Sequence, residues 1–550
     1  MNKIILASVL AAIPACAMAQ TAVDGMSISQ SDLRGTARYM SMAGAFTALG
    51  GDISSFNQNP AGLGIYRSSE IALSLDLDML SAKSAADGFS DKQSQTRFAC
   101  NNFGYAGAIA LNSEVMPFFN WGVSYSRQAS FDRTYGGRLT QNLQTSYTNL
   151  VAENTTTDGF DNLTLADQKG YNPFFDSSAP WTSILFYNAY GINPTAPGAN
   201  SYTGLYDYNG TAPGTADYTI REKGHVDEYS INFAGNVSNL VYWGLGFGIT
   251  DLNFKQTAYY GEAFGSGALV PNSGEESYTT GSASWGMTNW KHIYGTGFNV
   301  KFGLIFKPIN ELRIGLAVHT PTWYSLTTES QATVGYDYNS PNYTDGNKYS
   351  GNYTSEADYV NWKMNAPWRL SAGIAGVIAG RAILSLDYEY KGFGSMTFRD
   401  ANGYDYNDLN GDVKNYYQAT NTIRLGAEYR VTPGFSVRAG YSCETSPTQK
   451  ALLDPEGSNA TYVFTSNPDD TATQPSYSLT RSTQYVTCGL GYRYKAFSAD
   501  LAYVHRTRKA DYHAFTDYNE TEAPHYLVTA PKAKVSENNN SLILTLAYRF

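Results

Sequence analysis

The last ten residues, Ser541-Leu-Ile-Leu-Thr-Leu-Ala-Tyr-Arg-Phe550, admit few folds. Leu542, Leu544, Leu546, Tyr548 and Phe550 share one face of a strand, while Ser541, Thr545, Ala547 and Arg549 share the other. A period of two closing on an aromatic at the carboxyl end describes a strand with lipid on one side and a polar interior on the other. No run beyond the amino-terminal segment is apolar and long enough to cross a membrane as a helix. The chain therefore reads as all-β, a transmembrane antiparallel β-barrel.

The same alternation recurs along the chain and predicts about fourteen strands. They fall near 69–80, 101–111, 119–129, 226–238, 241–254, 294–308, 311–327, 366–378, 380–391, 420–431, 434–444, 483–494, 496–507 and 539–550. Ile423, Leu425, Ala427, Tyr429 and Val431 alternate with Thr422, Arg424, Gly426, Glu428 and Arg430. Leu384, Leu386, Tyr388 and Tyr390 alternate with Ser385, Asp387, Glu389 and Lys391. Such charges are costly against lipid, so the second face of each pair must line a lumen. Tight turns such as Thr432-Pro433-Gly434 and Tyr494-Lys495-Ala496 alternate with loops of tens of residues, the asymmetry of a barrel with short periplasmic turns and long outer loops. Composition fits: 16% charged and 14% aromatic, with 44 Tyr and 51 Gly. A net charge of −10 without a basic cluster speaks against nucleic acid.

Residues 1–19 carry Lys3, an apolar stretch from Ile4 to Ile13 and Ala17-Met18-Ala19, which describes a cleaved secretory signal. Residues 20–68 precede the first strand and are expected to fold inside the barrel as a plug, leaving 69–550 for the barrel and its loops. The longest loop spans about 130–225. Within it Trp181, Ile184 and Leu185 follow Pro180 at helical spacing, so a short helix is expected, either packed on the barrel rim or exposed for ligand capture.

Gly35-Thr-Ala-Arg-Tyr-Met-Ser-Met-Ala-Gly-Ala-Phe-Thr-Ala-Leu-Gly-Gly-Asp52, followed by Asn57-Gln-Asn59-Pro60-Ala61-Gly62-Leu63, resembles the amino-terminal hatch of the FadL/TodX outer-membrane transporters of long-chain fatty acids and other hydrophobic compounds. The resemblance is specific over about 30–70 and architectural beyond it. It implies a 14-stranded barrel closed by the hatch, with apolar outer loops that catch ligand. A hatch shift then frees cargo sideways into the bilayer, through a gap beside a kinked third strand. It also implies that Asp52 takes the acidic place of the hatch pattern, and that Asn59, Pro60 and Ala61 form the turn facing that gap. Gly122, on the third strand with Ser124 and Ser126, would leave room for a passage.

An amphiphile gains about 0.8 kcal/mol per buried CH₂, so it needs an apolar groove more than a water-filled channel. A carboxylate head would seek a lumenal cation, for which Lys301, Arg313, Arg369, Arg424 and Arg438 are candidates, each also able to pair with a lumenal acid. No cofactor, metal or enzyme chemistry is expected. The six histidines form no close metal pattern, and His319 is the one inward candidate for a haem ligand. The run Asp405–Asp412 fails as a calcium loop because Tyr406 takes the first ligand position. Cys443 and Cys488 point toward lipid on neighbouring strands, where pairing and independent burial both remain open. The expected partners are a hydrophobic small molecule, outer-membrane lipid and the barrel-assembly machinery through the Phe550 strand, with the chain a monomer in a Gram-negative outer membrane. A general porin, a haem receptor and a surface adhesin are the competing readings.

Overall fold

The computed structural model describes residues 21–272, 277–343, 349–454, 463, 471–519 and 527–550. The expected signal segment, 1–19, lies outside them. Among the described residues, fourteen antiparallel strands form a closed wall. They are β1 (Glu70–Ala86), β2 (Phe89–Ala110), β3 (Phe118–Ser130), β4 (Gly214–Val237), β5 (Val241–Pro271), β6 (Tyr278–Ile309) and β7 (Leu312–His319). The second half comprises β8 (Arg369–Ile378), β9 (Ala382–Gly392), β10 (Ala419–Thr432), β11 (Phe435–Glu444), β12 (Tyr477–Tyr494), β13 (Phe497–His513) and β14 (Lys532–Arg549). Each strand pairs with the next, and β14 closes on β1 with Glu70 opposite Arg549.

The two faces follow the alternation. Leu542, Leu544, Leu546, Tyr548 and Phe550 are exposed toward lipid, while Ser541 and Thr545 are buried. Ile423, Leu425, Tyr429 and Val431 face out, and Thr422 and Glu428 face in. On β5 the outward apolar series ends at Phe247 and Ile249, and Asp251 follows on the same exposed face. That charge marks the upper edge of the lipid band.

Three departures from expectation have physical causes. First, β5 and β6 are 31 and 32 residues long and rise well beyond that edge. Above it the apolar residues lie on the inner face, where Leu252, Phe254, Ala258, Tyr260, Trp285 and Met287 are buried, so the outward apolar period that marks the lipid-facing strands no longer continues. Second, the expected strand 311–327 is broken: β7 ends at His319, and the chain resumes as Trp323–Asn339 after Pro321. Opposite, Pro367 separates Asp358–Asn365 from β8. Proline donates no ladder hydrogen bond, and the wall changes partners at this level. Third, the run Asp405–Asp412 is mostly helical, within Asn407–Tyr416.

Cys443 lies opposite Gln484 and Cys488 opposite Ala439, and both are free. Four positions of offset along the ladder keep these two thiols apart, so the pairing alternative falls.

Candidate functional site

The lumen is closed by the segment before β1, and its turns are built from local caps. Thr21 opens helix α1 (Ala22–Ser29) with a capping box to Asp24, and Thr36 opens α2 (Ala37–Ser41). Asp52 accepts from the Ser54 amide at 2.9 Å, starting a 3₁₀ turn over Ile53–Asn57, and from the Thr36 hydroxyl at 2.7 Å. Asn59 caps a second 3₁₀ turn, Pro60–Ile65, with proline at its first position, where the missing N–H costs nothing. Phe46, Phe56 and Leu63 are fully buried within the barrel.

This hatch rests directly on the wall because lumenal positions are glycine. A methyl built on Gly303 would overlap the Asn59 amide, one on Gly244 the Pro60–Ala61 peptide, and one on Gly315 the Thr47 carbonyl. Gly440 admits the Met42–Ala43 peptide in the same way. Glycine inside a strand marks such backbone approach.

Buried charges hold the hatch from several sides. Asp24 meets Lys291 at 2.9 Å, and Arg34 meets Asp76 and Asp78 at 3.1 and 2.9 Å. Asp32 accepts from Arg506 at 2.5 Å and Arg508 at 2.9 Å, both on β13. Arg38 meets Glu428 at 2.9 Å, and the Thr47 amide donates to Asp387 at 2.7 Å. The upper lumen holds an apolar cluster, in which Met26 and Ile28 of α1 pack with Phe131, Phe254, Trp362, Met364 and Phe398.

Of the five candidate cations, four are paired. Lys301 contacts Glu228, Arg424 contacts Glu389 at 3.3 Å, and Arg438 contacts Glu428 and Asp500 at 2.7 and 2.6 Å. Arg369 lies 3.9 Å from Glu389 and donates to the Asn57 carbonyl at 2.7 Å. Arg313 donates to the Leu49 carbonyl at 2.5 Å and has no carboxylate partner among the described residues. Lys301 and Arg369 border a cavity of about 90 Å³ with Ile28, Tyr324 and Lys391. His319 borders it too, with its Nε2–H donating to the Gln58 carbonyl at 2.9 Å and its Nδ1 accepting from Arg369 at 2.6 Å. Both ring nitrogens are thus held by protein partners. Among the described residues no cluster of His, Cys, Asp and Glu is placed to hold a metal ion.

The wall has one notable seam. The β2–β3 ladder runs from Ala110 opposite Phe118 only as far as Asn102 opposite Ser126. A bulge at Asn101 shifts β2 against β1, and another beyond Arg127 shifts β3 against β4. Above Asn102 the sides are joined by side chains: Arg97 reaches Asp132 and the Ser130 hydroxyl, and Gln95 reaches the Asp132 carbonyl. Phe98, outward on β2 at this level, is 68% exposed. On the inner side the Asp32 amide donates to the Gln128 carbonyl at 2.8 Å.

A solved Pseudomonas aeruginosa FadL homologue matches the chain with a TM-score of 0.50 at 12% identity, covering 95% of this chain and 100% of that one. The chain has the FadL fold. The Pseudomonas putida toluene transporter TodX matches at a TM-score of 0.43 and 12% identity, covering 94% of this chain and 99% of its own. The Ralstonia pickettii toluene transporter TbuX matches at 0.44 and 14%, with the same coverage. No protein-family model and no curated protein matches the sequence.

Within this FadL fold the expected hatch turn sits elsewhere. Asn59, Pro60 and Ala61 seat on β5, β6 and β7, with the Asn59 amide donating to the Leu304 and Leu316 carbonyls at 3.3 Å. The lumenal glycines of those strands accept the turn, and β3 offers no such opening to it. Asp32 is the hatch residue that meets the seam, and nothing local in the sequence singles it out. Gly122 does not line an open passage: a methyl there would come within 2.9 Å of Phe56, which fills the space.

In the outer cap, helix α3 (Tyr147–Asp158) and helix α4 (Trp181–Asn188) follow a strand at Arg133–Leu143 paired to upper β4. Trp181, Ile184 and Leu185 of α4 are buried, so the exposed-capture alternative fails for them. The α4 helix packs instead into an aromatic core where Phe186 meets Tyr147 and Trp285 at 5.5 and 5.0 Å. Leu163, Phe175 and Tyr190 are exposed near it. Glu262, eleven positions above Asp251 and outside the lipid band, accepts from the Tyr147 amide at 2.9 Å, Tyr260 at 2.7 Å, Trp285 at 3.2 Å and Ser146. Burial pushes its carboxyl up to about 7 against the pull of those four donors.

Proposed function

We propose that this protein is an outer-membrane channel for passive uptake of hydrophobic molecules, long-chain fatty acids among them. Cargo is caught at the outer cap, passes the apolar cluster of the upper lumen, and leaves through the β2–β3 seam into the bilayer when the hatch shifts. Asp52 and the Asn59-Pro60-Ala61 turn keep the hatch's shape, and Lys301 with Arg369 offers a carboxylate head a place beside Ile28 and Tyr324. The observation that carries this reading is the hatch itself. It fills the lumen with side chains and places an apolar cluster where a porin would hold water.

Several features support the wider setting: the alternating Phe550 strand suits recognition by the barrel-assembly machinery, and the outward apolar band suits the lipid of a Gram-negative outer membrane. Among the described residues β14 pairs with β1 and closes the wall, in keeping with a monomer. No catalytic chemistry is part of the reading. The test compares uptake of radiolabelled oleate by cells with and without the protein, alongside currents in planar bilayers. Faster uptake with negligible steady current is expected. A large ohmic current with unchanged uptake would sink the reading in favour of a porin.

A further inference from the structure

The periplasmic end of the barrel holds a cavity of about 620 Å³, bordered by the turn at Pro433-Gly434, by Tyr492 and Ala496, and by the underside of the hatch. Its size falls within the range of small-molecule sites, roughly 300–1,000 Å³. Its charge runs against the rest of the chain. Seven arginines border it and only four acids, in a protein whose net charge is −10.

Every one of those acids is engaged. Glu428 pairs with Arg38 and Arg438, Asp500 with Arg438, and Glu70 with Arg549. Asp52 holds the Thr36 hydroxyl and the Ser54 amide. Arg313, Arg430 and Arg493 have no carboxylate partner among the described residues, and the Arg313 Nε is buried without an acceptor. The aliphatic side chains of Leu49, Ile53, Ile65, Val377 and Ile383 also line it. A concave site with surplus guanidinium forks and aliphatic side chains complements one kind of molecule.

We propose that this vestibule binds an amphiphilic anion, a molecule with a single carboxylate or phosphate head and a short aliphatic tail, with Arg313 as the principal head contact. The site faces the periplasm and does not depend on what crosses the hatch from outside. Unpaired arginines in a partly enclosed cavity concentrate anions, and the aliphatic lining selects those that carry a tail.

The test uses the full-length protein in nanodiscs at low salt, with decanoate below its micelle concentration as the probe. Decanol and inorganic phosphate serve as comparison ligands. Arg313→Gln is expected to remove one class of decanoate site, weakening it at least about tenfold, the effect of losing a charge-assisted hydrogen bond. Other decanoate sites and all decanol binding stay as they were. Arg313→Lys should retain the site, and unchanged heat-modifiable gel mobility of both variants shows that the barrel is intact. Phosphate should compete for the site only weakly. Equal decanoate binding by wild type and Arg313→Gln overturns the proposal, as does decanol displacing decanoate from this site. Phosphate matching decanoate would mean a simple inorganic-anion site and overturns the amphiphile assignment. Because oleate uptake from outside is measured separately, either reading can fail without the other.

Discussion

Replacing Asp32 by alanine should unlatch the hatch. Its carboxylate is 4% exposed and lies 2.5 Å from Arg506, 2.9 Å from Arg508 and 3.7 Å from Arg34. Deleting one member of a buried ion network strands the others, at a cost of about 3–5 kcal/mol. The loss here belongs at the low end, because two of the three arginines keep other acids. Arg506 retains Glu537 at 3.6 Å, and Arg34 retains Asp76 and Asp78. Arg508 alone loses its only ion pair. About 3 kcal/mol corresponds to roughly a hundredfold change in the ratio of seated to displaced hatch. Planar-bilayer current and trypsin cleavage at Arg34 and Arg38 both read that ratio, while heat-modifiable gel mobility confirms the barrel. Arg138→Ala is the control, since its pair with Asp217 is 36% and 43% exposed and such pairs contribute about 0.2–1 kcal/mol. If Asp32→Ala is as silent as the control, the latch reasoning is wrong.

Gly303→Leu should displace the hatch as well, because its side chain must enter the space of Asn59, whereas Gly335→Ala has nothing nearer than 3.9 Å and should be silent; trypsin sensitivity of the hatch distinguishes them. Cysteines at Gln95 and Asp132, in a background without the native thiols, should lock the β2–β3 seam on oxidation and lower oleate uptake until reductant is added. Unchanged uptake by the oxidised form would move the exit elsewhere. Docking of the cap over Tyr147 should depend on pH through Glu262, whose carboxyl sits at about 7 against an ordinary 4.5. The docked cap keeps a proton that the undocked cap releases, so docking is firmest at acid pH and weakens as pH rises from 4.5 to 7, by at most about 3 kcal/mol. Hydrogen exchange of residues 147–158 across that range should show faster exchange at the upper end once intrinsic rates are removed, and Glu262→Gln should flatten the profile.

The lipid-spanning part of every strand was legible because lipid punishes charge on one face, and that penalty writes a period of two into Ile423–Val431 and Leu542–Phe550. Where the penalty ends, so does the signal. In the upper halves of β5 and β6 the apolar residues, such as Leu252, Phe254, Trp285 and Met287, have passed to the inner face, and the polar stretch of β2 from Phe89 to Cys100 and the strand at Arg133–Leu143 show no outward apolar series that separates them from loop. The helix after Pro180 was visible from Trp181, Ile184 and Leu185, but spacing alone could not say whether water or Tyr147 and Trp285 covers it. Hatch placement differs from expectation for a related reason. Resemblance turns Asn59 toward the gap beside β3, whereas Gly244, Gly303 and Gly315 stand at inward strand positions and mark where backbone meets backbone. That signal was present in the chain. Asp32 had none, since its partners Arg506 and Arg508 lie more than 470 positions away.

The missing side chains along the inner wall have an evolutionary and engineering consequence. A stopper keyed to bare patches at Gly244, Gly303, Gly315 and Gly440 fits one cylinder and jams in another. Swapping amino-terminal segments between such barrels should fail unless the glycines travel with them, and drift on either side of the contact must be matched by its counterpart.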